Sequence, residues 1–336
     1  MTTLGTLQKV DLRQAWETEA QHFTPWLATE DNLARLGDVI GIELELEAQE
    51  QSVGPFRADI LCKDTANGDW VLIENQLEKT DHNHLGQLMT YAAGLKAVTI
   101  VWIAARFTEE HRAAIDWFND ITDTDFNFFG IEIELWRIGT SPVAPKFNVV
   151  SKPNDWSKTI NQKKQQIEGG DLSDSRQLAL EYWQTFVERL ATNDPSLRTM
   201  KPRAEYSIGS PIGRSNFYLV LYANPDKQNL GLFLSYEGAD AKRSFFLTHQ
   251  MKDEIEADFG HALDWQLAPN KKLSRTEIRM DNANPANQDD WPRQHDWLID
   301  MLQRFNIAFR QRVKLIDAAE APPTEEIIEM YAEKAD

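Results

Sequence analysis

Phe56-Arg57-Ala58-Asp59-Ile60 and Val71-Leu72-Ile73-Glu74-Asn75-Gln76 decide how this chain is read. Each is an apolar, β-prone run with one carboxylate inside it, and a carboxylate there costs stability unless a cation offsets it. Successive strand residues face opposite sides, so Glu74 and Gln76 project together while Asn75 points away. If the two runs pair, Asp59 lies beside Glu74. The pair then offers two hard oxygen ligands, which suit Mg²⁺ or Mn²⁺ and leave positions for water and a phosphate oxygen. A metal held there lowers the pKa of a bound water and stabilises charge on a scissile phosphate. The plainer alternative is two strand-end carboxylates, solvated or paired with Arg57 and Lys79.

Working outward, Trp16, Ala20, Phe23, Leu27, Leu33 and Leu36 recur at helical spacing over residues 10–38, punctuated by Pro25 and Gly37. Ile42, Leu44 and Leu46 alternate with Glu43, Glu45 and Glu47, the period of a strand. Further strands are expected at 56–62, 70–76, 98–104 and 128–138, with helices at Thr80–Leu95, where Leu85, Leu88, Met89, Ala92 and Leu95 make an apolar stripe, and at 109–121. The order helix, three strands, helix, strand, helix, strand predicts an α/β unit with a mixed sheet flanked by helices.

Residues 140–175 carry Pro142, Pro145, Pro153, Gly169 and Gly170 with few apolar repeats, so we expect a first domain over 1–145 and a connector over 146–175. A separate α+β domain is expected over 176–318. It would hold helices at 178–190, 246–259 and 290–316, and strands near 204–209, 216–222, 230–236, 263–267 and 274–280. Residues 319–336 form an acidic tail, mobile or a short appended helix.

The 336 residues carry a formal net charge of −18. Residues 1–150 hold 11 Lys and Arg against 24 Asp and Glu, and residues 151–336 hold 24 against 29. This balance argues against nonspecific coating of nucleic acid, which needs clustered Lys and Arg, but leaves room for a nuclease. No apolar stretch is long enough to span a membrane and no secretion signal is legible, so a soluble, cytoplasmic protein is expected. The lone cysteine, Cys62, reads as a small buried residue.

An Asp followed by an acid-x-Lys tripeptide on the next strand, in a core of this element order, resembles the PD-(D/E)XK nuclease superfamily. Asp59 matches its metal-binding Asp, Glu74 its second acid, and Gln76 the position where lysine is usual. The resemblance, over about residues 10–140, implies a restriction-endonuclease-like fold. It implies Mg²⁺ or Mn²⁺ held by Asp59 and Glu74 and hydrolysis of phosphodiester bonds, in DNA ahead of RNA, with restriction or defence against foreign DNA as the setting. The family's lysine orients or activates the attacking water. Glutamine can hydrogen-bond a water but brings no charge, and Lys79 is the nearby substitute. Gln87 and Tyr91 are similar to the Gln-x-x-x-Tyr motif of RecB-like members, which positions DNA or the site acids. An acid from the first helix is also implied; Glu30 is the candidate, with Glu43, Glu45 and Glu47 as competitors. Double-strand cutting with one site per chain would call for a homodimer. The opposing expectation is an inactive nuclease-fold protein that binds nucleic acid or acts as a scaffold. The whole chain also resembles bacterial proteins that join such a half to a C-terminal domain of unknown function.

His82 and His84 are two apart, do not share a helix face, and lack a third spaced ligand. They read as part of a helix cap with Thr80 or Asp81 at the N-cap, rather than as a zinc site. The 11 tryptophans, among them Trp102, Trp117, Trp136, Trp183 and Trp297, read as core. Arg304, Arg310, Arg312 and Lys314 read as a solvated helix face, with nucleic acid as the alternative.

Overall fold

The computed structural model describes residues 4–53, 56–95, 99–122, 126–153 and 174–332; the side chains at 51–53, 56, 57, 91, 92, 95 and 174 lie outside the described residues. The chain divides into two compact units. One comprises Met1–Asp64 with Asp69–Asp171, the other Leu172–Asp336 with the turn Thr65–Gly68.

The first unit is built on a seven-stranded mixed sheet: β1 (Leu7–Val10), β2 (Leu44–Val53), β3 (Phe56–Asp64), β4 (Trp70–Asn75), β5 (Thr99–Ala104), β6 (Asn127–Ile138) and β7 (Ala144–Ser151). β2, β3 and β4 form an antiparallel meander, β5 and β6 then add parallel to β4, and β7 adds antiparallel to β6. Leu135 and Trp136 pair with both β1 and β7, which places those two strands on opposite edges of β6. The parallel steps need crossovers, and these are α3 (His82–Leu95) and α4 (Glu109–Ile121).

The period-2 alternation of the strands sorts the core into two layers. Ile60, Val71, Ile73, Val101, Ile103, Ile131 and Ile133 face Phe23, Leu27, Leu33 and Leu36, which come from α1 (Thr24–Leu27), α2 (Glu30–Ile40) and the turn before them. Leu72, Ile100, Trp102 and Phe128 face Leu88 of α3 and Ile115 of α4. Glu74 shares the parity of Leu72 and so belongs to the α3–α4 side.

Several boundaries differ from the expected ones. The helix expected over 10–38 is broken into a 3-10 turn at Leu12–Gln14, a π turn at Glu19–Phe23, α1 and α2. Thr18 and Thr29 both adopt extended backbone, which interrupts helical hydrogen bonding wherever the apolar spacing alone would continue it. The connector expected from 146 begins later, because β7 runs to Ser151 and pairs along β6; residues 154–173 of that connector lie outside the described residues. Trp102 and Trp183 are fully buried as core, but Trp117 is 56% exposed on the outer side of α4. Cys62 is buried, and burial pushes its thiol up to about 12, so it is inert as a nucleophile.

The second unit pairs helices with a five-stranded antiparallel sheet. The helices are α5 (Asp174–Asn193), α6 (Ala241–Gln250), α7 (Lys252–Phe259), α8 (Trp291–Leu315) and α9 (Thr324–Ala332). The strands are β8 (Ser207–Pro211), β9 (Phe217–Asn224), β10 (Asn229–Tyr236), β11 (Asp264–Gln266) and β12 (Ser274–Asp281), in the order β11-β12-β10-β9-β8. Phe217, Leu219, Leu221 and Ala223 alternate inward along β9, against Trp183 and Phe186 of α5 and Leu298, Phe305 and Phe309 of α8. The single helix expected at 246–259 is two, parted at Met251. The acidic tail contains α9, whose Ile327 is buried in this same core; residues 333–336 lie outside the described residues.

Two buried polar groups shape this unit. Lys242 is buried without a carboxylate partner among the described residues, and its ammonium donates to Leu267 O at 2.7 Å, Ala268 O at 2.8 Å, Leu273 O at 3.1 Å and Ser274 Oγ at 3.1 Å. His295 is fully buried against Tyr182, Phe186 and Trp291, and neither ring nitrogen has a hydrogen-bond partner among the described residues. Burial, and secondarily the charge of Arg189, lowers its pKa to about 4.

Lys242→Met leaves those carbonyls unpaired and is expected to destabilise the second unit by about 2–4 kcal/mol, read as a fall in its urea midpoint. Acid should act through His295. Unfolded histidine takes a proton first, so stability present above about pH 6.5 is lost as pH falls toward about 4. The full loss is about 3 kcal/mol. His295→Phe, which keeps the aromatic packing, should flatten that dependence in melts of the second unit; an unchanged acid slope would contradict this account.

Candidate functional site

The site forms where β3 parts from β4. Their pairing runs from Lys63↔Trp70 to Ile60↔Ile73 and stops there, one residue short of Asp59 on β3 and of Glu74 on β4. Side chains take over from the ladder: Asn75 N–H donates to Asp59 Oδ2 at 2.8 Å, and Asp59 N–H points to Glu74 Oε1 at 3.4 Å. On the other side of β3, Glu50 holds a left-handed φ of 53° and sits on the register line opposite Asp59, a strained backbone for a non-glycine residue. The carboxylates thus occupy a fork between strands, Glu74 only 3% exposed and Asp59 half-buried.

Both carboxyls are pushed well above the usual range. For Asp59 burial is the main cause, opposed by the Asn75 amide and reinforced by Glu50 and Glu19, with His84 pulling the other way. For Glu74 burial again leads, followed by the charge of Asp59. Two neighbouring carboxylates in a poorly solvated site cannot both ionise without cost, and a divalent cation between them removes that cost. Among the described residues no three His, Cys, Asp or Glu side chains converge as a metal-holding group. Two carboxylates with the remaining positions left to water and phosphate is a donor set that suits Mg²⁺.

Asn75 points to the opposite face as expected, and its Nδ2 donates to Thr24 Oγ1 of α1 at 2.9 Å. Gln76 lies one residue past β4 and is 1% exposed. Its amide is fully committed. Oε1 accepts from Trp102 Nε1 at 2.9 Å, while Nε2 donates to Lys79 O at 2.8 Å and reaches Asp81 Oδ2 at 3.3 Å. The polar atoms of the Gln76 amide, expected to orient a water, are thus each already bonded within the protein. Lys79 contributes its carbonyl to this network, and its side chain is exposed. Gln87 is half-buried on α3 and makes no hydrogen bond among the described residues; the side chain of Tyr91 lies outside them.

Glu30 is exposed in the first turn of α2 and is not among the charges that act most strongly on Asp59 or Glu74. The acid that the N-terminal helical segment does bring is Glu19, from the π turn. Its Oε1 accepts from Leu77 N–H at 2.7 Å, three residues past Glu74, and its charge acts on Asp59. No spacing in the sequence marks Glu19, since its bond is to a backbone group 58 residues away.

Asp81 is the N-cap of α3, accepting from His84 N–H at 3.0 Å, and its other oxygen meets His84 Nδ1 at 2.8 Å. His82 turns instead to α4, where its Nδ1 meets His111 Nε2 at 3.0 Å; Nδ1 of His111 is held by Thr80 and Thr108. The two histidines of the cap therefore diverge, as their spacing implies.

Residues 178–313 match the family model of a domain of unknown function (DUF4268). That stretch runs from α5 through most of α8 in the second unit. No curated protein and no solved structure matches the chain. Within the DUF4268 stretch the basic residues of α8 are engaged locally, Arg304 with Asp300 and Arg312 with Asp258. Among the described residues no helix is long and apolar enough to cross a membrane.

The raised carboxyls fix a pH sign. Folded Asp59 and Glu74 hold their protons above the range where unfolded carboxylates release them, so with divalent metal chelated the first unit should lose stability as pH rises past that range. Glu74→Gln should raise its melting temperature at pH 8 by a few degrees and flatten the slope to the part that Asp59 carries. Mg²⁺ or Mn²⁺ should stabilise the wild type but not this variant. A destabilised, still metal-responsive Glu74→Gln protein would refute the account.

Proposed function

We propose that the first unit is a divalent-metal-dependent nuclease of the PD-(D/E)XK superfamily, with the restriction-endonuclease-like fold, hydrolysing phosphodiester bonds in DNA. The observation that carries the reading is the fork itself. Two carboxylates lie side by side on neighbouring strands of a mixed, helix-flanked sheet, Glu74 buried and Asp59 half-buried, without a cationic side chain bonded to either among the described residues. A purely structural role would favour an ion pair or apolar residues at such a place.

In this reading Asp59 and Glu74 hold the cation, Mg²⁺ or Mn²⁺, which when bound supplies charge to the phosphate oxygen and a water of lowered pKa. Asn75, pinned on both sides, holds the Asp59 carboxylate by its backbone N–H and so fixes where the pair points. Glu19 ties the chain just after Glu74 to the N-terminal helical segment and adds, after Glu50, to the negative field around Asp59. On the far side of Asp59, Glu50 of β2 holds a left-handed φ and adds its charge to the field on that carboxyl.

One observation favours a second reading, a nuclease-fold binding protein without catalysis: Gln76, where the family's lysine would stand, is consumed by structural hydrogen bonds. Cleavage separates the two. With Mg²⁺ or Mn²⁺, the wild type should cut at least one member of a panel of single-stranded, duplex and branched DNA and RNA. Asp59→Ala and Glu74→Ala should drop cleavage to background with unchanged circular dichroism. Undiminished cleavage by both variants would sink the nuclease site; a wild type that binds but never cuts would favour the second reading.

A further inference from the structure

We infer that His84, held by Asp81, is the proton acceptor that takes over the work of the missing lysine. The inference rests on the nuclease reading above and assigns the one role which that reading leaves empty.

The need for such a group follows from Gln76. Every polar atom of its amide is bonded to Trp102, Lys79 O or Asp81, and an amide cannot accept a proton at neutral pH in any case. Lys79 gives the network its carbonyl and keeps its side chain exposed. His84 stands next in the same chain of bonds. Gln76 reaches Asp81, and Asp81 holds His84 twice, by the backbone N–H at 3.0 Å and by ring Nδ1 at 2.8 Å.

The tautomer follows from the partner. Burial alone would raise the Asp81 carboxyl, but the His84 amide and ring bonds and Gln76 outweigh it and hold the group below the usual range, as a carboxylate. A carboxylate only accepts, so Nδ1 must carry the hydrogen and Nε2 keeps the lone pair. Nε2 has no hydrogen-bond partner among the described residues, and the ring is half-buried, not enclosed. The His84 charge acts on the Asp59 carboxyl, whereas His82 is drawn off to His111. A base oriented by a carboxylate, which is itself bonded to Gln76 two residues past Glu74, is an arrangement that suits general-base catalysis.

The step balances without a further reagent. Nε2 of His84 takes one proton from the attacking water as its oxygen forms a bond to phosphorus. The bond from phosphorus to the leaving sugar oxygen breaks, that oxygen keeps the electron pair, and it collects a proton from solvent. The imidazolium, stabilised by the Asp81 carboxylate, then returns its proton to solvent.

The test uses the full chain with Mn²⁺ and the best-cleaved DNA of the panel. His84→Gln should lower kcat by about 10²–10³-fold, the usual worth of a general base, with metal and DNA affinities unchanged. It should also remove the acidic limb of the pH–rate profile. His84→Ala should regain activity with added imidazole. Asp81→Asn, which keeps a good N-cap residue, should move the limb toward lower pH by removing the anion behind the ring. Unchanged kcat and pH profile in His84→Gln overturns the assignment while the nuclease reading stands. A loss that spares the pH limb and resists imidazole marks packing alone and overturns it as well. A wild type that cuts nothing overturns both.

Discussion

The first unit is organised around a place where its sheet fails to close. β3 and β4 pair through Ile60 and Ile73 and then separate, and the gap is bridged by carboxylates instead of backbone groups. A buried carboxyl is tolerable when something binds it, and here each is bound by a single backbone amide while its neighbour carries the same charge. The surrounding structure pins this arrangement from every side. Thr24 fixes Asn75, Glu19 fixes Leu77, and Trp102 fixes Gln76, so the segment 74–77 is anchored residue by residue to α1, to the turn before it and to β5. Such anchoring holds the two carboxyls of the fork in one fixed relation to each other.

Much of this was legible in the order of residues. Alternation placed the strands and told Glu74 and Gln76 from Asn75, because parity on a strand is a local rule that tertiary context does not alter. The apolar stripe at Leu85, Leu88 and Met89 placed α3, and Asp81 could be named as a possible cap from its position before His82. The mixed α/β sheet flanked by helices, and the second sheet with its helices, follow from the same signals. What was not legible depends on distance along the chain. Apolar spacing over 10–38 records which residues face the core, and broken and continuous helices can bury the same set; only the extended backbone at Thr18 and Thr29 separates them. β1 and β7 are edge strands that exist through pairing with β6, and their own residues, such as Leu7-Gln8-Lys9-Val10, carry little strand signal. Glu19 and His84 matter through partners 58 and 3 residues away, and in neither case does the residue type announce the bond.

The second unit follows a different economy. Its core is one continuous cluster spanning α5 to α9, and its polar exceptions are internal fasteners. Lys242 gathers the loop before β12 by its carbonyls, and Arg214 holds Val313 O and Ile316 O at the end of α8. These are long-range ties made by single side chains to backbone groups. They define the shape of the DUF4268 stretch without themselves offering chemistry to a substrate.

The bond between Trp102 and Gln76 has a consequence for how this sequence can drift. Trp102 Nε1 can only donate, and inside the sheet it needs an acceptor that lysine, with three hydrogens and no lone pair on its ammonium, cannot be. A lysine placed at 76 would set two donors against each other in a dry layer, and replacing Trp102 alone would leave the glutamine oxygen without this donor. The tryptophan on β5 and the glutamine after β4 are thus tied as donor and acceptor, and a substitution at either one is felt at the other.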